Sequence, residues 1–344
     1  MKKRNRLLLL CLVIGIVLTV TLTLLYPSPS GSNQVSDGSL FSYAQMTDSQ
    51  FSGSNTIFEK TTWWLSQNNF SLIIHTGDIV GSASDETSWR KAYQYMHQLD
   101  NKTKWVAIAG DDDVLVRRGV SFTNYERFLG NATDQYVVIE NRILFIFLNT
   151  LSEGGEVSTE RLDWMDQVIE NHNDLLVVLC LHHSIFEFPF VYGLSASNAG
   201  EIWNRLIQHE NVILTLSGHV HLSWVRVKAN QDNGVWALST EALLYRGYVR
   251  LFDVYEDRLE VSAYSAWENK SYMGTLDRFT IRLNAADNDE DRDLWSNGAD
   301  MMPTHPLVPN GIICSAVIET TIIMYWQRKR RADKTTDKAR CSLE

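Results

Sequence analysis

The sequence predicts an α/β protein built from two packed sheets. Three observations carry this. Short β-rich runs alternate with amphipathic helical patterns from Phe41 to His209, the texture turns to alternating strands from Val235 onward, and six apolar runs each end in a small polar cluster.

The β-rich runs are Phe41 to Met46, Ser71 to Thr76, Lys104 to Ala109, Ile143 to Leu148, Leu175 to Leu181 and Val212 to Ser217. Between them, apolar residues recur at the three-to-four spacing of a helix face. Ile57, Thr61, Trp64 and Leu65 form one face, Trp89, Tyr93, Met96 and Leu99 a second, and Leu162, Met165, Val168 and Ile169 a third, opened by Ser158 as N-cap. A fourth runs from Ala199 to His209. These stripes read as core contacts. After Val235, strands are expected at Gly247 to Tyr255, Arg258 to Ala266 and Phe279 to Leu283, the first two joined by the turn residues Glu256 and Asp257. They suggest a second sheet packed against the first.

Both ends of the chain read as membrane segments. Leu7 to Tyr26 is mostly aliphatic, follows Lys2, Lys3, Arg4 and Arg6, and is long enough to cross ~30 Å of hydrocarbon as a helix. A cleaved signal peptide is the competing reading, but its apolar region usually spans only ~7 to 15 residues and ends in small residues. Pro27-Ser28-Pro29 follows here, so a retained anchor is expected. Leu307 to Trp326 is mostly apolar again and is followed by Arg328-Lys329-Arg330-Arg331. Within it, Glu319 near the bilayer centre would cost a few kcal/mol unless paired or protonated, so it marks a functional contact or a helix lying on the membrane. The expected order is a cytoplasmic basic tail (1–6), an anchor (7–26), a linker (27–40), an extracytoplasmic domain (41–283), an acidic linker (284–306), a second membrane helix (307–326) and a basic cytoplasmic tail (327–344). This places the protein at the cell membrane, with the lipid bilayer as a partner.

Charge narrows the partners further. Of the 344 residues, the first six carry four bases and the last eighteen carry seven bases against three acids, so 20 bases and 38 acids remain between them. A body with a net charge of -18 repels polyanions, and no nucleic-acid partner is expected. Cys11 and Cys314 fall in the apolar ends, Cys341 in the basic tail and Cys180 in a strand, so the domain has no internal disulfide and relies on core burial. Glycosylation sequons at Asn69, Asn101, Asn131 and Asn269 are compatible with export. Nothing in the sequence sets an oligomeric state.

The polar clusters consist of residue types that bind metal. Thr47-Asp48-Ser49-Gln50 follows the first run, Gly77-Asp78 the second, Gly110-Asp111-Asp112-Asp113 the third, His182-His183 the fifth and Gly218-His219-Val220-His221 the sixth, while the fourth ends at Asn149. Strand carboxyl ends facing one crevice would bring these groups together. Carboxylate, amide and imidazole donors suit Mn, Fe, Zn or Mg, and two such ions share a carboxylate when ~3.5 to 4 Å apart. Each cluster alone has a plain explanation as a turn or a surface pair. Five in succession read as an enzyme built on two divalent metal ions, with Asp78 as the natural bridge.

In this order the clusters resemble the motifs of calcineurin-like metallophosphoesterases, most closely the bacterial and archaeal branch whose first motif is Asp-x-Gln. The resemblance runs from about Phe41 to Leu283. It includes Trp63-Trp64, His75-Thr76-Gly77-Asp78-Ile79-Val80, Ile202-Trp203 and Tyr264-Ser265, and Gly218-His219-Val220-His221 is its most specific element. It implies a four-layer α/β/β/α sandwich with a dimetal phosphoester hydrolase site, and the mechanism expected of two such ions is direct attack on phosphorus by a metal-bridging hydroxide. Carried over, Asp48 and His221 hold the first ion with Gln50 where many relatives have His, Asp78 bridges, and Asp111, His182 and His219 hold the second. Asp113 orients a ligand. His183 is expected on the substrate side or behind a ligand, and His75, His97, His172 and His209 as ordinary histidines away from the clusters.

The chain departs from that pattern at two positions. Asp111 stands where the family has Asn, which still coordinates and adds negative charge. Asp112 stands where the family has a His that protonates the leaving group or steadies the phosphate, and an exposed Asp with a reference pKa near ~3.9 is ionised at neutral pH. Three consequences are open: neighbouring carboxylates raise Asp112 until it keeps a proton, the substrates have good leaving groups, or the site binds metal and turns over poorly. The last describes a degenerate metal-binding domain with a binding or structural role at the membrane. The substrate is expected to be a phosphate mono- or diester.

Overall fold

The computed structural model describes residues 38–283 apart from 54–55, 100–102, 115–120, 131–133, 152–155, 187–194, 230–233 and 275. The expected membrane segments, both basic tails and the acidic linker lie outside the described residues. Among the described residues, no helix is long and apolar enough to cross a membrane.

Strands β1 (Phe41–Met46), β2 (Leu72–His75) and β3 (Lys104–Ala107) run parallel, with helices α1 (Thr56–Gln67) and α2 (Glu86–His97) as the two connections. After a short α3 (Thr123–Leu129) come β4 (Gln135–Ile139), β5 (Ile143–Phe147), α4 (Thr159–Glu170), β6 (Leu176–Cys180), α5 (Ala199–Leu206) and β7 (Val212–Ser217). The chain then forms β8 (Trp224–Ala229), β9 (Gly234–Ser239), a one-turn α6 (Leu243–Arg246), β10 (Tyr248–Val254), β11 (Arg258–Ser265), β12 (Lys270–Tyr272) and β13 (Phe279–Arg282).

The partition into sheets differs from expectation. The late strands do not make a sheet of their own. They join the first three in the order β12-β11-β10-β1-β2-β3, with β13 also on β11, while β4 to β9 form the second sheet in the order β4-β5-β6-β7-β9-β8. Alternation fixes which face of a strand is buried but says nothing of which edge it joins. The free edge of β1 is closed by antiparallel β10, with Tyr43 opposite Phe252 and their rings stacked at 4.5 Å.

Alternate residues along each strand face opposite ways, which gives each sheet two apolar faces. Tyr43, Ile74 and Phe252 of one sheet meet Phe145, Val178 and Leu216 of the other in a core between the sheets, where Tyr43 meets Phe145 edge-on at 4.9 Å. The outer face of the first sheet, including Ile73 and Ala107, is covered by Phe58, Leu65, Trp89 and Met96 of α1 and α2. That of the second, including Leu144 and Leu179, is covered by Leu162, Met165, Ile202 and Trp203 of α4 and α5. Each such side chain contributes on the order of 2 kcal/mol by burial, which holds the layers helix, sheet, sheet, helix together without a disulfide. Cys180 is buried in the central core. Ser158 occupies the N-cap position of α4 with extended backbone, but its hydroxyl makes no capping bond.

Candidate metal centre

The carboxyl ends of β1, β2, β3, β6 and β7 carry the polar clusters, and backbone hydrogen bonds lace their loops together. The amide of Asp48 donates to Gly77 O at 2.9 Å, that of Gln50 to Asp78 O at 2.9 Å, and that of Gly218 to His182 O at 3.0 Å. The two sheets are joined here by the His219 amide, which donates to both Asp48 carboxylate oxygens at 3.1 and 3.0 Å.

The local backbone is strained. Among the described residues, eight non-glycine residues have positive φ, and five of them are Asp48 (49°), Gln50 (38°), Asp78 (54°), His219 (65°) and His221 (61°). Each left-handed residue costs on the order of 1 kcal/mol and persists only where surrounding structure enforces it. Strain concentrated on the residues with ligand chemistry is the mark of a built site. The intervening glycines allow the loops to approach closely. A Cβ on Gly218 would lie 1.9 Å from Thr47 Oγ1, and one on Gly110 would lie 2.2 Å from the Asp78 amide nitrogen.

Two sets of donors result. Asp78, Asp111, His182 and His219 form one and Asp48, Asp78 and His221 the other, the donor atoms within each lying no more than 4.8 Å apart. Bonds of ~2.1 Å put opposite donors of one ion ~4.2 Å apart, so both sets match a divalent cation in size as well as in donor type. Asp78 belongs to both. His182 Nδ1 donates to Thr76 O at 2.8 Å, so Nε2 is the nitrogen that faces Asp111 Oδ1 at 2.9 Å and Asp78 Oδ1 at 3.6 Å. His219 Nδ1 is also 2.9 Å from Asp111 Oδ1, and His221 Nε2 is 3.3 Å from Asp48 Oδ1.

The electrostatics show a cluster short of positive charge. Burial alone would lower His182, but Asp78 and the other carboxylates around it push it up to about 10. Asp78 is pushed up to about 6, first by burial and then by Asp111 and Asp48 against the pull of His182. For Asp111, burial works upward, yet hydrogen bonds from His182 and His219 hold it below the usual carboxylate range. A divalent cation bound here would supply the positive charge that the raised groups otherwise take up as protons, and its binding would displace them.

The supporting groups are equally specific. Asp113 is buried and accepts from the amides of Ile79, Val80 and Gly110 at 2.9 to 3.1 Å, pinning the Asp78 turn to the following loop. Burial and the Asp78 charge push its carboxyl up against those three donors. Gln50 presents its amide nitrogen to Asp112 Oδ2 at 2.9 Å and to Asp78 Oδ2 at 3.5 Å, as a donor to two carboxylates. Asp112 is half-buried and raised by burial and then by Asp111. His183 is buried with Nδ1 2.7 Å from Thr150 Oγ1, its ring centroid 4.5 Å from that of His219, and burial lowers it to about 3.

Four supports had no sequence signal. Thr76 acts through its carbonyl, Thr150 and Tyr245 lie outside any motif, and Arg250 is a fully buried cation that donates to Thr240 Oγ1, Ser223 Oγ and Leu276 O. Thr240 continues to Gln45 Oε1 at 2.8 Å, and Gln45 donates to Thr76 Oγ1 and Ser217 O beneath the ligand loops. His75 also differs from expectation. It is not remote from the clusters, because its Nε2 lies 2.9 Å from Ser49 Oγ under the first loop.

The calcineurin-like phosphoesterase family model matches residues 42–223, more than half of the chain. An uncharacterized protein of Bacillus subtilis, YvnB, is 25% identical over 71% of this chain but only 22% of its own length. A probable cyclic nucleotide phosphodiesterase of Psychrobacter arcticus is 23% identical over 51% of this chain and 64% of its own length, and one of Moraxella catarrhalis is 24% identical over 44% and 59%. The chain thus spans less than two thirds of each of these relatives. Among solved structures, a dimetal phosphatase from Danio rerio aligns over 72% of this chain and 100% of its own with a TM-score of 0.54 at 13% identity. The purple acid phosphatase PPD1 from yellow lupin aligns over 72% and 55% with a TM-score of 0.57 at 10% identity. At these identities the likeness is one of fold.

Proposed function

Because the chain belongs to the calcineurin-like phosphoesterase family, we propose that it is a hydrolase of phosphoesters that works with two divalent metal ions, one in each donor set. The observation that carries this reading is that two donor groups of the right size share a single carboxylate, Asp78. Asp48, His221 and Asp78 would hold one ion, with Gln50 beside it, and Asp78, Asp111, His182 and His219 would hold the other. When bound, the ions supply Lewis acidity and a nucleophile at neutral pH.

The remaining groups orient and exclude. Thr76 O fixes the tautomer of His182, Asp113 holds the Asp78 turn, and buried His183 stays neutral beside the second set. Asp112 stands at the leaving-group side. Burial and then Asp111 raise its carboxyl, a shift in the direction of the proton-donor role that the family's His otherwise fills.

The favoured substrate is a phosphodiester. Asp111, held in its charged form where the family has a neutral Asn, repels a dianionic monoester more than a monoanionic diester, and two of the curated relatives are named as probable cyclic nucleotide phosphodiesterases. The domain works outside the cytoplasm, held at the cell membrane by segments 7–26 and 307–326. Their basic flanks support this, and so does the position of Leu40 and Leu283 side by side: the Leu40 amide donates to Val254 O and the Leu283 amide to Asp257 O, at the β10–β11 turn.

The test is metal analysis of the purified full-length protein together with initial rates on matched aryl mono- and diesters. Two equivalents of metal and faster diester hydrolysis are expected. Bound metal with no turnover of any ester at any pH would establish a metal-holding domain without activity.

A further inference from the structure

Tyr245 is tied to the candidate metal centre from outside every motif. It sits on α6, 56% exposed, with its hydroxyl 3.2 Å from His221 Nδ1 and its ring edge-on to that imidazole at 5.8 Å between centroids. The helix that carries it is sewn to the Asp48 turn: the Leu243 amide donates to Thr47 O at 2.9 Å and the Leu244 amide to Asp48 O at 3.2 Å. Leu243 is fully buried, and the turn closes at Gly247 in the left-handed conformation, φ 68°. The backbone that places Asp48 therefore also places Tyr245.

The chemistry of the imidazole gives that contact a direction. His221 Nε2 is the nitrogen on the ligand side, 3.3 Å from Asp48 Oδ1. An imidazole that offers Nε2 to a cation carries its proton on Nδ1, and that proton needs an acceptor. His182 uses the carbonyl of Thr76 at 2.8 Å. For His221 the corresponding atom is the phenol oxygen of Tyr245. The two donor sets are thus supported unequally. One has two imidazoles, of which His182 is held by buried main chain, and the other has a single imidazole held by an exposed side chain.

We propose that Tyr245 is a positioning residue for the Asp48–Asp78–His221 site, its hydroxyl oxygen accepting the Nδ1 proton of His221 and turning Nε2 toward the ion. The inference rests on the two-ion reading above. It makes the affinity of one ion, and not of the other, depend on a phenol hydroxyl.

The experiment is calorimetric titration of the metal-free full-length protein with Mn²⁺, wild type against Tyr245→Phe, with the thermal midpoint of each metal-free protein as a control for folding. Wild type is expected to bind two Mn²⁺. Tyr245→Phe is expected to keep one event unchanged and to weaken the other by ~10 to 100-fold, the usual loss for the partner of a ligating His. Its midpoint is expected to be unaltered and its activity restored by excess Mn²⁺. Two events identical to wild type, or equal weakening of both, would overturn the assignment. Wild-type protein that binds no Mn²⁺ would instead remove the two-ion reading, and this inference with it.

Discussion

The backbone amide of Asp112 donates to Oδ1 of Asp78 at 2.9 Å, so the loop after β3 is fastened to the one carboxylate common to both donor sets. Asp78→Asn keeps the shape and the amide contact but removes the charge that two cations would share. Bound metal and activity are expected to fall together, with kcat/KM down by ~10³-fold or more, on the order of 4 kcal/mol of transition-state stabilisation. Metal content and turnover on an activated diester, read from the same preparation, check this. Turnover that persists after the metal is lost would end the dimetal reading.

Asp112 has Gln50 Nε2 at 2.9 Å and lies within the field of Asp111 and Asp48, a setting that raises its carboxyl without the basicity of an imidazole. Asp112→His restores the group the family uses at this position. For esters with alkyl leaving groups, kcat is expected to rise by ~10 to 100-fold, within the range of general acid catalysis, while p-nitrophenyl esters change little because their leaving group needs no proton. Equal effects on both substrate types would show that Asp112 takes no part in leaving-group protonation.

The local parts of this structure were legible because they are written locally. The bounds expected for the first and sixth apolar runs match β1 and β7, and the polar clusters could be read as one site because Gly-Asp and Gly-His-Val-His at strand ends combine turn chemistry with ligand chemistry. The pairing of β1 with β10 was not legible, because Phe41 to Met46 and Tyr248 to Val254 show which faces are apolar but carry no address for an edge. The supports were hidden for a related reason. Thr76 acts through a carbonyl that any residue would supply, and Tyr245 reaches His221 only because α6 folds back on the Asp48 turn. The buried Arg250 is equally silent in sequence, since it sits in an otherwise ordinary alternating strand and its partners come from Thr240, Ser223 and Leu276.

Tyr43 places its ring well and its hydroxyl poorly. The ring stacks on Phe252 and meets Phe145 edge-on, yet the buried hydroxyl finds no hydrogen-bond partner among the described residues. Tyr43→Phe keeps both ring contacts and removes a polar group that lost its water on folding. A gain of about 1 kcal/mol is expected, seen as a higher denaturant midpoint with an unchanged slope. A loss of stability would mean that the hydroxyl has a partner, such as a buried water.

His75 sets an acid limit on the fold. Ser49 Oγ donates to Ile79 O at 2.9 Å, so it accepts from His75 Nε2–H at 2.9 Å, and His75 Nδ1 has no partner among the described residues. Burial, opposed by Asp48, lowers this imidazole to about 3. Above pH ~6.5 the ring is neutral in both folded and unfolded chains and the stability is fully present. As pH falls from there toward about 3, only the unfolded chain takes up the proton, and stability is lost at ~1.4 kcal/mol per pH unit for this group. His183, also lowered to about 3 by burial, adds a loss of the same sign. His75→Gln retains a donor for Ser49 without a titrating group, so the gap in unfolding free energy between variant and wild type is expected to shift in favour of the variant by ~1 kcal/mol from pH 6.5 to pH 5.5, with chelator present so that bound metal plays no part. Parallel curves for the two proteins over that range would show that His75 takes up its proton as readily in the folded chain as in the unfolded one.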